Sequence, residues 1–384
     1  MKKKVVLLLM LALLSLALLA CAPESAQPDA GDAAQEENGD TADTGDTITI
    51  VDHLGNTVTL PREINRIAVT NIYPLPSVIT VMLGSAEKLV GIHPVSMSAA
   101  ENGLLGDLYP EILNADTGFV QGSDLNVEEL LKLNPDVVFY GADNPQMGQN
   151  LINAGFAAVA ISANKWDYDI LETYRQWIAL LSQIFPNNDI SDKVDQYSQE
   201  VYDLVQERTA SVEEKKKILF LFQYDDSQMV TSGKHFFGQF WCDAVGGKNV
   251  AEEITLDNNN AVINMEQVYA WNPEVIFITN FTPTQPEDLY NNAVGADDWQ
   301  SVKAVQDKQV YKMPLGIYRS YTPGVDTPIT LLWMAKAVYP DLFTDIDIPQ
   351  KVADYYQELY GIQLTDEQIS QMFTPTGDAA QGFK

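Results

Sequence analysis

One stretch of sequence occurs twice. Asn126-Val127-Glu128-Glu129-Leu130-Leu131-Lys132-Leu133-Asn134-Pro135-Asp136-Val137-Val138-Phe139 returns, 138 residues later, as Asn264-Met265-Glu266-Gln267-Val268-Tyr269-Ala270-Trp271-Asn272-Pro273-Glu274-Val275-Ile276-Phe277. In each copy Asn is a helix N-cap, and Asn-Pro stops the helix because a residue before proline avoids the α region. An unbroken apolar run then reads as a buried strand. Two such helix–Pro–strand units predict two related α/β lobes; the alternative is convergence on a common α/β motif.

The rest of the chain alternates in the same way. Strands are predicted at 67–70, 89–92, 136–140 and 157–161, and helices at 75–83, 127–133 and 145–154. They follow an opening hairpin, 48–51 and 57–60, around a Gly55 turn. The alternation resumes with strands 218–222, 274–279 and 309–312 and helices 236–245, 265–270 and 326–338, and two helical pieces follow within 349–373. This pattern predicts parallel sheets with helical crossovers. Between the halves, Ile190, Val194, Tyr197, Val201, Leu204 and Val205 repeat at helical spacing through 189–211. That is one long helix, either a spine joining the lobes or an ordinary amphipathic surface helix. The fold class is therefore α/β, two lobes each with a small parallel sheet and flanking helices. The boundaries are 1–20 leader, 21–47 tether, 48–188 first lobe, 189–213 spine, and 214–384 second lobe with a helical extension.

The leader has a basic start (Lys2, Lys3, Lys4), an apolar run over 5–20, and Leu18-Leu19-Ala20-Cys21. The run is short for a bilayer span and reads as a secretory signal. Its end is similar to a bacterial lipobox, which implies lipid on Cys21 and a protein held on the outer face of the cell membrane; the alternative is an ordinary signal peptide with a chance cysteine. Residues 22–47 carry eight acids and no base, which predicts a solvated tether. Cys242 then has no partner, and its apolar neighbours predict a buried thiol. The net charge of −30 makes nucleic acid an unsuitable partner. Two cysteines and three histidines build neither a disulfide framework nor a zinc cluster.

With these residues in hand, the chain over about 48–345 resembles the class III substrate-binding proteins of ABC importers, which serve iron–siderophore, haem and cobalamin uptake. The match rests on Thr49–Val69 with Asp52, Gly55 and Arg66, and on the doubled Asn-x-Glu unit. It rests further on Thr231-Ser232-Gly233-Lys234 with Gly246-Gly247-Lys248-Asn249-Val250, on Ala304-Val305, Val310-Tyr311 and Pro314, and on Leu332-Trp333-Met334-Ala335-Lys336 with Tyr339-Pro340. The resemblance implies a monomer that captures its ligand between the lobes and delivers it to a permease with its ATPase. It also implies that Glu128 and Glu266 dock onto permease arginines; alternatively each acid only favours its helix N-terminus.

Ligands of such lobes meet the loops at the carboxyl ends of the strands. Those loops supply Tyr73, His93, Met97, Tyr224, Ser232, His235, Phe236, Tyr318, Arg319 and Tyr321 as candidate ligand-binding residues. Aromatic faces suit large conjugated ligands. Arg319 is placed to clamp a carboxylate or catecholate, or else pairs with a local Asp. His, Met or Tyr would serve as axial ligands if the ligand is haem. The expected ligand is an iron complex, siderophore or haem, with cobalamin as the alternative, and no resident cofactor. Scarce cleft cations favour a neutral, cationic or mildly anionic chelate. No Gly-x-Ser-x-Gly, His-Glu-x-x-His or P-loop occurs, so an enzyme is the weaker reading, as are an adhesin and a redox-cofactor assembly scaffold.

Overall fold

The computed structural model describes residues 45–121, 124–186 and 190–381. The leader, Cys21 and most of the tether lie outside them. Folded chain begins with the hairpin Thr47–Val51 and Thr57–Pro61, paired antiparallel.

Two parallel four-stranded sheets follow. In the first, the strands in spatial order are Leu89–Gly91, Ile67–Val69, Val137–Gly141 and Ala158–Ile161. In the second they are Lys248–Asn249, Lys217–Leu221, Val275–Ile278 and Val310–Lys312. Within each lobe the order is second, first, third, fourth, so the two lobes repeat one topology. The doubled sequence unit keeps the same cap, stop and strand-start contacts in both lobes. Asn126 accepts the N–H groups of Glu128 and Glu129, each at 3.1 Å, and Asn264 accepts that of Gln267 at 3.1 Å. Each helix ends on an Asn with left-handed backbone, Asn134 at φ 43° and Asn272 at φ 45°. Asparagine tolerates that region better than most residues. Asp136 and Glu274 then accept the backbone N–H of Arg66 (2.8 Å), just before the first lobe's first strand, and of Lys217 (3.2 Å), which starts the second lobe's. Those same two cations reach back to the helix-terminal carbonyls of Leu133 and Trp271, at 2.8 and 3.1 Å. Unpaired carbonyls at a helix end are thus satisfied the same way in both lobes.

The long helix runs Ile190–Thr209 and buries Ile190, Val194, Ser198, Val201, Val205 and Thr209 along one face. It packs on the first-lobe helix Ile170–Ile184 and on the second-lobe helix Thr327–Val338. Near its end, Arg208 holds Asp345 in a two-pronged pair at 2.6 and 2.8 Å. One apolar cluster runs from Ile50 through this helix to Met372, with a smaller satellite on each lobe.

Three features depart from the sequence reading. His93 does not open a loop: it caps the helix Pro94–Asn102, so Ser96 and Met97 are helical. Proline at the first position presets the helical φ there. Helix Ile170–Ile184 was not foreseen, although Ile170, Leu171, Tyr174, Trp177, Ile178 and Leu181 carry its period. The C-terminal extension forms helices Ile348–Tyr360 and Asp366–Met372, then a short 3-10 turn, Gly377–Ala380, that returns to pack on the first-lobe helix Pro94–Asn102. Cys242 is fully buried, and burial pushes its thiol well above the usual range.

Asp326 is buried under the same extension. Its carboxylate accepts the Ile317 N–H at 2.8 Å and the phenol of Tyr356. Burial pushes it up to about 6 against an ordinary 3.8, although those hydrogen bonds oppose the shift. The folded protein must therefore ionise Asp326 in a dry site after the unfolded chain has already done so, and this group's contribution falls as pH rises through that window. We predict that Asp326→Asn gains stability relative to wild type between about pH 4 and about pH 7 in chemical denaturation. A gap between the two proteins that does not change with pH would remove that assignment.

Candidate ligand-binding site

In each sheet the strand order reverses between the first and third strands, which opens a crevice at their carboxyl ends. In the first lobe Asn71 and Asp143 stand at that point. Asn71 Oδ1 accepts the Gly141 N–H at 2.8 Å and the Thr70 hydroxyl at 2.9 Å, tying the two loops together. The loop after the fourth strand adds Asn164 and Tyr168. Asp167 and Tyr168 both take positive φ, 51° and 60°, a strained turn of the kind that gathers at functional sites. That turn sends the Tyr168 hydroxyl across to Asn258 of the second lobe, to which it donates at 2.8 Å. The Tyr168 ring meets second-lobe Phe236 and Phe237 edge-on, with centroids 6.2 and 5.5 Å apart.

These contacts border a partly open cavity of ≈ 130 Å³ between the lobes. Asn71, Tyr73, Asn164, Tyr168, Phe237 and Asn258 are among its walls. Among the described residues lining it, Asp143 is the one charged side chain. A second chamber of ≈ 150 Å³ shares Asn71 and Tyr73 and adds Thr70, His93, Asn144, Met147 and a second carboxylate, Asp124. Helices Leu75–Leu83, Pro94–Asn102 and Pro145–Asn153 begin beside these spaces, at Pro74, His93 and Asn144. Helix N-termini carry partial positive charge and favour anionic groups. A larger groove of ≈ 660 Å³, which includes Tyr311, Trp333 and Phe373, is walled by the second lobe and its extension alone, so it is not the crevice between lobes.

His93 has a fixed chemical role. Its Nδ1 accepts the Val95 N–H at 3.1 Å, and burial pulls the ring down to about 4, so near neutral pH it is uncharged. The ring proton then sits on Nε2, which donates and has no lone pair for a metal. The ring packs on Tyr73, with centroids 4.5 Å apart, and burial raises the Tyr73 phenol. The imidazole thus offers a neutral donor, beside the carboxylates of Asp143 and Asp124 in the walls of the two chambers. Among the described residues no three His, Cys, Asp or Glu side chains gather as a metal cage.

Of the residues expected at the ligand, Tyr73 and His93 line these chambers. Met97 is half-buried against the main apolar cluster. Ser232, Phe236, Tyr318 and Tyr321 lie buried beneath the cleft; the Tyr321 hydroxyl donates to Ser232 Oγ at 2.9 Å. Tyr224 faces away. A small sheet, in which Gln223–Tyr224 pairs with Met229–Val230, turns it into the second lobe's satellite core. There its hydroxyl donates to Asp297 and accepts from the Trp299 indole, both at 2.8 Å. His235 is exposed, and its carbonyl accepts the Asn258 N–H at 3.0 Å. Arg319 is not a free clamp: it is 1% exposed, and its hydrogen bonds go to three backbone carbonyls and the Tyr318 hydroxyl. Glu128 and Glu266 are exposed in the first turns of the equivalent helices. Sequence reasoning missed Tyr168, Asn164 and Asn258. The first two follow the fourth strand's carboxyl end, so the rule that nominated the other loops also reaches them.

Residues 71–315 match the family model described as periplasmic binding protein. The chain is 28% identical over 81% of its length, and 90% of the relative's, to the molybdate-binding protein MolA of Haemophilus influenzae. A Bacillus subtilis ABC transporter substrate-binding lipoprotein, YvrC, is 21% identical over 78% of this chain and 87% of its own. Among solved structures, a periplasmic solute-binding protein of Veillonella parvula superposes with a TM-score of 0.75 at 29% identity, over 85% of this chain and 97% of that one. MolA bound to molybdate gives 0.69 at 25% identity, over 83% and 99%. The haem-binding protein HmuT gives 0.59 at 20% identity, over 76% and 90%, a likeness of fold. The doubled lobe, the long joining helix and these matches together place the chain in the periplasmic binding protein family, as a class III substrate-binding protein of an ABC importer.

Proposed function

We propose that the protein captures a compact, metal-centred oxyanion of the molybdate type between its lobes and releases it to its permease and ATPase. The supporting observation is the small cavity of ≈ 130 Å³, walled by amides, phenols and apolar side chains beside the helix start at Pro74, with the helix starts at His93 and Asn144 on the adjoining chamber. That space is about four water volumes, where drug-sized ligands occupy roughly 300 Å³ or more. It does not suit haem or a whole siderophore unless the lobes part widely. The similarity to a molybdate-binding relative supports the same reading. A second reading, the iron complex expected from the sequence, draws support from Asp143 in the wall, which disfavours a doubly charged anion nearby. Lipid on Cys21 would hold the protein at the outer face of the cell membrane. In either reading the protein returns its ligand chemically unchanged.

A soluble form starting at Gly45 tests this, because Trp177 lines the cavity and its fluorescence reports occupancy. Sodium molybdate should quench it saturably. A stoichiometric Soret shift with haemin, or quenching by ferric siderophores alone, would displace the oxyanion reading. Tyr168→Phe, which removes the cross-cleft hydrogen bond, should weaken molybdate binding by about threefold to tenfold through faster release, measured by calorimetry and stopped flow. Unchanged affinity would take Tyr168 out of the closure. Glu128→Ala combined with Glu266→Ala should abolish uptake by cells yet leave affinity in solution as it was. Normal uptake by that double variant would count against docking through these acids.

A further inference from the structure

A buried guanidinium stays protonated and must find every partner it needs within the protein. Arg319 finds its partners on three separate parts of the chain. Nη1 donates to the carbonyl of Val95, on the first-lobe helix Pro94–Asn102, at 2.9 Å, and to the Tyr318 hydroxyl at 2.8 Å. Nε donates to the carbonyl of Asn280, just past the second lobe's third strand, at 3.0 Å. Nη2 donates to the carbonyl of Ala379, in the C-terminal turn, at 2.5 Å. The faces of Phe281 and Tyr318 cover the cation at 4.9 and 5.2 Å.

The surroundings reinforce that junction. Ser98 of the first-lobe helix donates to the Asp378 carbonyl at 3.4 Å. The Leu104 N–H donates to the Gly316 carbonyl at 2.9 Å, a direct backbone bond from one lobe to the other. Val95 also connects the junction to the ligand chambers, since its carbonyl accepts from Arg319 while its N–H donates to His93 Nδ1. Across the cavity the lobes meet through the Tyr168–Asn258 hydrogen bond.

We propose that Arg319 is a positioning residue rather than a ligand clamp: with the turn Gly377–Ala380 it welds the lobes along one side and sets how far the cleft opens. Parting the lobes there would strip a buried cation of carbonyls, whereas parting them at Tyr168 releases two edge-on ring contacts and one neutral hydrogen bond that water can replace. Opening therefore pivots on the Arg319 side. This goes beyond the solute reading and does not depend on which solute is bound.

The test needs no ligand. Spin labels at Gln149→Cys and Asn259→Cys, both exposed and on opposite lobes, report the interlobe separation by double electron–electron resonance, and buried Cys242 stays unlabelled. Arg319→Lys keeps the charge and loses the planar fork. Gly377→Val leaves Arg319 intact but pushes the turn away, because a Cβ there would lie 2.9 Å from the Pro283 carbonyl oxygen. Both variants should broaden the distance distribution toward longer separations while still unfolding cooperatively. Val268→Ala, a cavity in the second lobe's satellite core, is the matched control for plain destabilisation and should keep the wild-type distribution. A wild-type distribution in either test variant, or the same broadening in the control, overturns the proposal. Should Arg319→Lys fail to fold, Gly377→Val and the control decide it.

Discussion

The lobes share their apolar interior. The main buried cluster passes from the opening hairpin through helix Ile170–Ile184, along the joining helix, and into helix Thr327–Val338 and the C-terminal extension. Each Å² of apolar surface pulled out of that interior costs about 25 cal/mol, so the lobes cannot separate along the joining helix without a large loss. Motion is left to the rim at Tyr168, where one hydrogen bond and two edge-on ring contacts join the lobes. The size of the cavity, the placement of Tyr168 and the reach of the C-terminal turn all follow from two sheets whose backs are fixed to one core.

The chemistry of the crevice follows from what that core leaves at the strand ends. Asparagines, phenols and an uncharged imidazole supply directed donors, and helix N-termini add partial positive charge without a mobile counter-cation. Such a site can select by shape and donor geometry. It differs from the arginine-lined cleft that a highly charged ferric chelate would require.

Much of this was legible in the chain. The doubled Asn-x-Glu unit gave the duplicated topology because its capping and stop signals are local: a cap acts within one turn, and proline acts on its neighbour. The joining helix was equally plain from its period. Arg319 was misjudged because its partners come from residues 95, 280 and 379, which no local pattern brings together. Tyr224 was misplaced for a similar reason, since the strand pairing that turns it inward is set by a neighbour several residues on. From its residue type His93 is a candidate axial ligand for haem or a hydrogen-bonding wall residue, and sequence alone does not choose between them. Its hydrogen bond to the Val95 N–H, which decides the tautomer, exists only once the helix behind it has formed.

Cys242 has a consequence for how the chain matures. It is sealed between apolar neighbours, and burial keeps its thiol protonated. A protonated, inaccessible sulfur neither attacks disulfides nor accepts oxidants. The folded domain therefore needs no oxidase or isomerase to reach its final covalent state. Changes in the redox poise of its surroundings therefore leave this sulfur as it is.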